Sequence, residues 1–261
     1  MPLPRSKAVS PRTGKPLAAS TAKQRMLRQL VCSDECEQAL RLKGYRLIAG
    51  VDEVGRGALY GPVVAAAVIL PEQCAELAAA GLTDSKQLAR EDRERLDLQV
   101  RAMALAVCVA EVAAETIDRI NIYQASRLAM LNAVAGLGIA PDHLLIDAMR
   151  IDHPCAQTRL VYGDSLSLSI AAASVVAKVH RDALMCAADE VHPGYGLSSH
   201  KGYATPAHKR ALKELGPTPL HRRSFAPVAG AGPDTVVETG SLPFDEEALN
   251  ESASGENTAW A

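Results

Sequence analysis

Apolar positions along the chain fall into two alternating kinds of run. Short continuous runs, "RLIAGVDEV", "PVVAAAVIL", "LAVCVAEV", "HLLIDAM" and "TRLVYGD", have the length and composition of buried strands. Between them lie segments whose apolar residues recur three and four apart. These are Lys23 to Leu42, ending at Gly44; "REDRERLDLQVRAMA"; Ile117 to about Leu137; and "SLSIAAASVVAKVHRDALMCAADEV". That spacing predicts helices. The turn-rich "GRGALYG" between the first two strand-like runs predicts an antiparallel pair. In the last helix the small residues Ala171 to Ser174 allow a close backbone approach. Three early strands, then strands alternating with helices, predict a mixed α/β domain around a central sheet. No internal repeat interrupts the pattern.

Composition sharpens the boundaries. Residues 1–30 hold seven Lys/Arg and no acid, whereas residues 229–261 hold seven Asp/Glu and no Lys/Arg, although the net charge is only −2. Both ends lack sustained apolar periodicity, so 1–20 reads as a disordered basic tail and 229–261 as a disordered acidic tail. The folded domain then spans 21–228, with an N-terminal helix over 22–43. Aromatic residues make up only 3% of the chain, so Ala, Val, Leu and Ile must fill the core. Six scattered cysteines without Cys-x-x-Cys or zinc-type spacing fit reduced thiols in a cytoplasmic protein. No apolar run approaches the ~20 residues of a membrane helix, so no membrane partner is expected.

The candidate chemistry lies at strand ends. Asp52 and Glu53 sit side by side in an apolar run. Burying one unpaired carboxylate costs several kcal/mol, so the pair calls for a cation. Consecutive strand residues point to opposite faces, so both can serve one site only where the strand ends or bulges, and Gly55, Arg56 and Gly57 supply a permissive backbone. Asp147 in "LLIDAM" and Asp164 in "LVYGDS" also end strand-like runs; each alone also fits a plain role, as a satisfied strand-end carboxylate or a helix cap. Four hard oxygen donors without His or Cys suit Mg²⁺ or Mn²⁺, and two such ions suit in-line phosphoryl transfer. Asp118 reads as a first-turn helical acid, Asp142 as a turn residue, and Asp182 as the partner of a neighbouring base. From His200 to Arg223 six Lys/Arg face one acid, a patch that fits a phosphate backbone or a solvated helix face, with Tyr203 as a possible stacking platform.

The blocks "AGVDEVGRG", "GPVVAAAVIL", "LTDSKQL", "LLIDAM", "GDSLSLSIAAASVVAKVHRD", "HPGYGLSSHKGYATPAHKRAL" and "GPTPLHRRSF" resemble, in order, those of bacterial ribonuclease HII, across about Leu47 to Val228. The resemblance implies a ribonuclease H-like fold with a central mixed five-stranded sheet flanked by helices and a C-terminal helical extension over about 190–228. It implies a monomeric endoribonuclease acting on RNA–DNA hybrids and on duplex DNA containing ribonucleotides, with two Mn²⁺ or Mg²⁺ ions; a sliding clamp as a further partner is left open. By motif, Asp52, Glu53, Asp147 and Asp164 match the four catalytic, metal-binding acids. Gly55, Arg56 and Gly57 match the loop that contacts the ribose 2′-hydroxyl, Tyr203 the tyrosine at the RNA–DNA junction, and Lys86 a block near the nucleic-acid backbone.

Two positions depart from the family pattern: Ala148 follows the third acid where many members have glycine, and Gln87 replaces a common lysine. Ribonuclease HIII, with an additional N-terminal domain and a glutamate as fourth acid, fits less well. Two rivals remain open at this level. A junction resolvase or integrase of the same superfamily would cut all-DNA substrates, and a binding module would hold hybrids without turnover.

Overall fold

The computed structural model describes residues 30–231. The two expected tails, apart from 229–231, and the first part of the expected N-terminal helix lie outside the described residues. What is described of that helix, α1, covers only Glu35–Leu42. Upstream of it Ser33 makes a parallel bridge to Ser167, exchanging backbone hydrogen bonds with Leu166 and Leu168, so these backbone groups are satisfied without a helix.

Five strands form one sheet in the order β3-β2-β1-β4-β5: β1 Ile48–Val54, β2 Val63–Ile69, β3 Ala106–Val112, β4 His143–Asp147 and β5 Ala156–Leu160. The first three pair antiparallel, whereas β4 runs parallel to both β1 and β5. Every residue of β2 is buried, which its unbroken run of Val, Ala and Ile predicts for a strand covered on both faces. One face packs against α4 (Ala114–Ala135) through Ala125, Ala129, Met130 and Val134. The other carries α3 (Arg90–Met103) and the long α5 (Leu168–Val191), with the short α2 (Ala75–Ala79) alongside. In α4 the backbone breaks at Asn121, φ 65°, whose side-chain oxygen accepts from Gln124 N–H and caps the longer second segment.

Close packing of α5 on β1 rests on Gly50. A Cβ there would lie 2.0 Å from the Ser169 carbonyl carbon, so only glycine lets the start of α5 reach the sheet. Ala171, Ala172 and Ala173 continue the small face. Ser167 caps this helix, its hydroxyl accepting from Ile170 N–H. Buried Glu37 of α1 accepts from the Ser167 hydroxyl at 2.6 Å and Ser169 N–H at 2.9 Å, tying α1 to the same helix start.

The C-terminal part of α5 enters a second apolar cluster with Leu59, Tyr60, Tyr195, Leu197, Leu212 and Val228. Here α6 (Leu197–His200), α7 (Pro206–Leu215) and α8 (Ala226–Ala229) form the helical extension. Asp118 accepts from the Arg223 and Ser224 backbone and the Ser224 hydroxyl, so it clamps this extension to α4. Asp142 accepts from Arg46 and Leu47 N–H. All six cysteines are free, and no described helix is long and apolar enough to cross a membrane.

Three histidines of the extension are oriented by hydrogen bonds, and burial lowers the pKa of two of them, His208 and His221. His208 Nδ1–H donates to the Tyr203 carbonyl at 3.0 Å, leaving its Nε2 to accept from His221 Nε2–H at 3.2 Å. His221 Nδ1 in turn accepts from Thr218 N–H. His200 Nδ1 accepts from Gly202 N–H, and its Nε2 lies 2.7 Å from the Tyr195 carbonyl. Burial, then His208, His192 and Arg223, push the His221 pKa from 6.5 down to about 4. The unfolded chain therefore binds a proton below pH 6.5 that the folded chain refuses until about pH 4. This group should add a stability loss of about 3 kcal/mol as pH falls through that window, and nothing further above it. Urea denaturation at pH 7 and pH 4.5 should show a shallower fall for His221→Gln than for wild type; equal falls would remove His221 as the cause.

Candidate active site

The strand β1 does not bulge at its acidic pair. Asp52 stands opposite Ala66 and Glu53 opposite Ala65 in regular antiparallel register, and the strand stops after Val54, where Gly55 turns with φ +90°. The two side chains leave opposite faces at a strand end. The parallel ladder pairs Val51 with Ile146, which sets Asp52 beside Asp147, the last residue of β4.

Asp164 arrives by a different route from the expected one. The strand β5 ends at Leu160, and Asp164 lies in a one-turn 3₁₀ segment, Gly163–Ser165, immediately before α5. Gly163 N–H donates to Asp147 Oδ1 at 2.8 Å and draws this turn onto β4. A side chain on Gly163 would run into Ile170 at 2.6 Å. Ala148, directly after Asp147, has φ +51°, a left-handed conformation that explains why glycine suits this position and that costs alanine about 1–2 kcal/mol.

Burial dominates the electrostatics. Asp52 is 4% exposed, and its pKa is driven well above the usual carboxylate range by burial and then by Glu53, Asp147 and Asp164. Burial raises Glu53 to about 7 despite Arg56, whose guanidinium lies 3.4 Å from Oε1. Asp164 rises to about 6 for the same reason, partly offset by Lys86. Asp147 is raised by burial against the opposing pull of the Gly163 N–H and Lys86. Lys86 Nζ sits 3.1 Å from Asp164, and Asp164, Asp52 and Asp84 together outweigh the partial desolvation of its ammonium and hold it above its ordinary range.

Among the described residues no three carboxylate, histidine or cysteine side chains already stand as an ion-holding group. The donor set nevertheless fits a hard divalent cation. It is all oxygen, it carries more negative charge than its setting tolerates, and Glu53 Oε2 is buried without a hydrogen-bond partner. Lys86, whose side chain is 73% exposed, holds Asp164 through a pair that solvent weakens, so it yields readily to a stronger cation.

Asp52 and Glu53 open onto a cleft of about 480 Å³ that Ser85, Lys86, Arg93, Ser174, Lys178 and Tyr203 also line. Asp182 pairs with Lys178 at 2.6 Å and with Arg93 at 3.7 Å. The loop carrying Gly55, Arg56 and Gly57 reaches Tyr203 through an Ala58–Tyr203 bridge and a hydrogen bond from Leu59 N–H to the Gly202 carbonyl. The basic stretch from His200 to Arg223 does not form one surface. Lys209, Arg210 and Lys213 are exposed on α7, whereas His221 and Arg222 are buried, His221 against His208 within the extension and Arg222 against the Arg56 and Gly61 carbonyls of the segment between β1 and β2. Two residues near the site, Arg181 and Arg222, escaped the reading of the sequence. Arg222 counts only as one member of the basic stretch from His200 to Arg223, Arg181 is not singled out, and periodicity holds no sign of a guanidinium turned inward.

A sequence model of the family "Ribonuclease HII" matches residues 49–228. Ribonuclease HII of Koribacter versatilis is 52% identical over 236 residues, covering 90% of this chain and 92% of that protein. Among solved structures, ribonuclease H2 from Pyrococcus horikoshii superposes with a TM-score of 0.61 at 25% identity, over 70% of this chain and 95% of that one. Bst-RNase HIII in complex with Mn²⁺ shares the fold at a TM-score of 0.53 and 21% identity, over 78% and 70% of the two chains. The chain belongs to the ribonuclease HII family, hydrolytic nucleases that cleave the RNA strand of RNA–DNA hybrids.

Proposed function

We propose that this nuclease cuts on the 5′ side of a ribonucleotide embedded in duplex DNA as well as along RNA–DNA hybrids, leaving a 5′-phosphate and a 3′-hydroxyl. The observation that carries the reading is the convergence of four over-charged carboxylates, Asp52, Glu53, Asp147 and Asp164, beside a glycine-rich loop that abuts Tyr203. In this reading the four acids hold two Mg²⁺ or Mn²⁺ ions, an assignment in keeping with the Mn²⁺ complex of the ribonuclease HIII relative. Bound there, the ions supply an activated water and neutralise charge at the departing oxygen.

The chain's own residues supply selection. Backbone groups of Gly55, Arg56 and Gly57 meet the 2′-hydroxyl, which is both donor and acceptor. Gly57 carries no positive φ, and a Cβ there would have only Tyr203 Cε1 near it, at 4.0 Å, so its lack of a side chain serves an incoming sugar rather than the fold. Tyr203 stacks at the junction between ribose and deoxyribose, and Lys86 steadies the backbone phosphate nearby.

The test is a duplex with one ribonucleotide, compared with a long hybrid. Tyr203→Ala should lose about 1–3 kcal/mol of transition-state binding on the single ribonucleotide, the range of one aromatic–base stack. It should lose less on the hybrid, where contacts repeat along the strand. Equal losses in kcat/KM on both substrates would assign Tyr203 to packing alone.

A further inference from the structure

Two of the largest fully buried side chains are arginines, Arg181 of α5 and Arg222 of the extension, each 0% exposed. Neither takes part in an ion pair among the described residues, where Asp182 pairs with Lys178 and Arg93 instead. A buried cation without a carboxylate is costly, so its hydrogen bonds must repay the burial. Their acceptors are consecutive. Arg181 Nη2 donates to the Tyr60 carbonyl at 3.0 Å and Nε to the Pro62 carbonyl at 3.2 Å, while Arg222 Nε donates to the Gly61 carbonyl between them at 2.9 Å. One further arm of each reaches a segment assigned above to substrate selection, while Arg222 Nη2 is buried without a hydrogen-bond partner. Arg222 Nη1 donates to the Arg56 carbonyl at 3.0 Å, and Arg181 Nη1 to the Lys201 carbonyl at 2.9 Å.

Two further contacts centre this arrangement on Arg181. Its guanidinium carbon lies 5.6 Å from the Tyr203 ring centroid. A Cβ on Gly55 would meet its Nε at 2.1 Å, so the guanidinium fills the space that the glycine leaves. A planar, five-donor fork can bridge three carbonyls on two segments and still flank a ring, which an ammonium cannot.

We propose that Arg181 is a positioning residue for junction recognition: it sets the spacing between loop 55–57 and Tyr203, with Arg222 bracing the loop from its other side. This rests on the assignment of Tyr203 to the junction made above. Arg181 does not touch the reacting atoms. It fixes the width of the gap into which the ribose and its neighbour must fit, and misplacement there weakens recognition more than hydrolysis.

The experiment compares kcat/KM on a single-ribonucleotide duplex and on a long hybrid for wild type, Arg181→Lys, Tyr203→Ala and the double variant. Both rates come from one preparation, so their ratio is independent of the folded fraction. Arg181→Lys should lower the ratio by about tenfold, within the range of losses that small misplacements cause. The double variant should show little further change, because an unpositioned ring and an absent ring fail alike. Gly202→Ala presses on the same joint without altering Arg181, its Cβ falling 3.1 Å from the Tyr60 carbonyl oxygen, and should lower the ratio in the same direction. An unchanged ratio in both Arg181→Lys and Gly202→Ala, or additive losses in the double variant, would overturn the proposal while leaving the junction role of Tyr203 standing. If Tyr203→Ala itself leaves the ratio unchanged, the junction assignment fails and this proposal falls with it.

Discussion

Asp147→Asn and Asp164→Asn should each reduce hybrid cleavage on the order of 10³-fold, because a metal-ion site contributes several kcal/mol of transition-state charge stabilisation and each 1.4 kcal/mol is tenfold in rate. Asparagine keeps the volume and one oxygen but removes the charge an ion needs. The fold should survive. Burial raises both carboxyls above the usual range, so in the metal-free protein neutralising either one relieves repulsion. Thermal melting in chelator should therefore show variants at least as stable as wild type, while Mn²⁺ should stabilise wild type more than either variant. Asp147 carries a secondary risk, since its Oδ1 accepts from Gly163 N–H and anchors the turn bearing Asp164. An asparagine oxygen can keep that bond. Asp182→Asn is the control, because its carboxylate is engaged by Lys178 and Arg93, and it should cost little activity. Near-wild-type cleavage by either test variant would remove that acid from the metal-binding set.

Replacing the single embedded ribose by 2′-deoxyribose should suppress the cut by about 10⁴-fold, the discrimination reached by sites built to hydrogen-bond a substrate hydroxyl. The acids cannot provide this, since they face phosphate chemistry that RNA and DNA share. In the proposed function selection falls to the loop after β1, and the structure separates its two glycines. Gly55 has φ +90° and the Arg181 guanidinium against its Cα, so Gly55→Ala should disturb loop and fold together. Gly57 has open space on that side, so Gly57→Ala should keep the melting temperature and lose cleavage. A sequencing gel of one duplex, with and without the hydroxyl, locates the cut and measures the ratio. Comparable cleavage of the all-DNA duplex, or a need for several consecutive ribonucleotides, would overturn the proposed substrate.

Local pattern was enough for most of the scaffold. The unbroken apolar run of β2, the antiparallel turn before it and the small face of α5 follow from residue size and periodicity alone. The acids were legible for a related reason: a carboxylate in an apolar run conflicts with its surroundings, and the conflict is visible without coordinates. Where local signals competed with long-range ones, the reading drifted. The strand expected over "TRLVYGD" ends at Leu160, because Gly163 is drawn to Asp147 from a different strand. The helix expected over 22–43 begins, in its described part, only at Glu35, because Ser33 pairs with the start of α5.

The amino-acid sequence by itself therefore determined most of the elements and their apolar faces and singled out four acids as candidates, since each of these depends on a residue's own polarity and near neighbours. Only the tertiary structure decided how Asp52 and Glu53 serve one place from opposite faces of a regular strand end, why Gly50 must lack a side chain, and that Arg181 and Arg222 turn inward while Lys209, Arg210 and Lys213 stay outside. The physical reason is common to all three. Periodicity reports whether a position is covered, but what covers it is set by partners far away in sequence, and a buried guanidinium is stable only where distant carbonyls already converge to receive it.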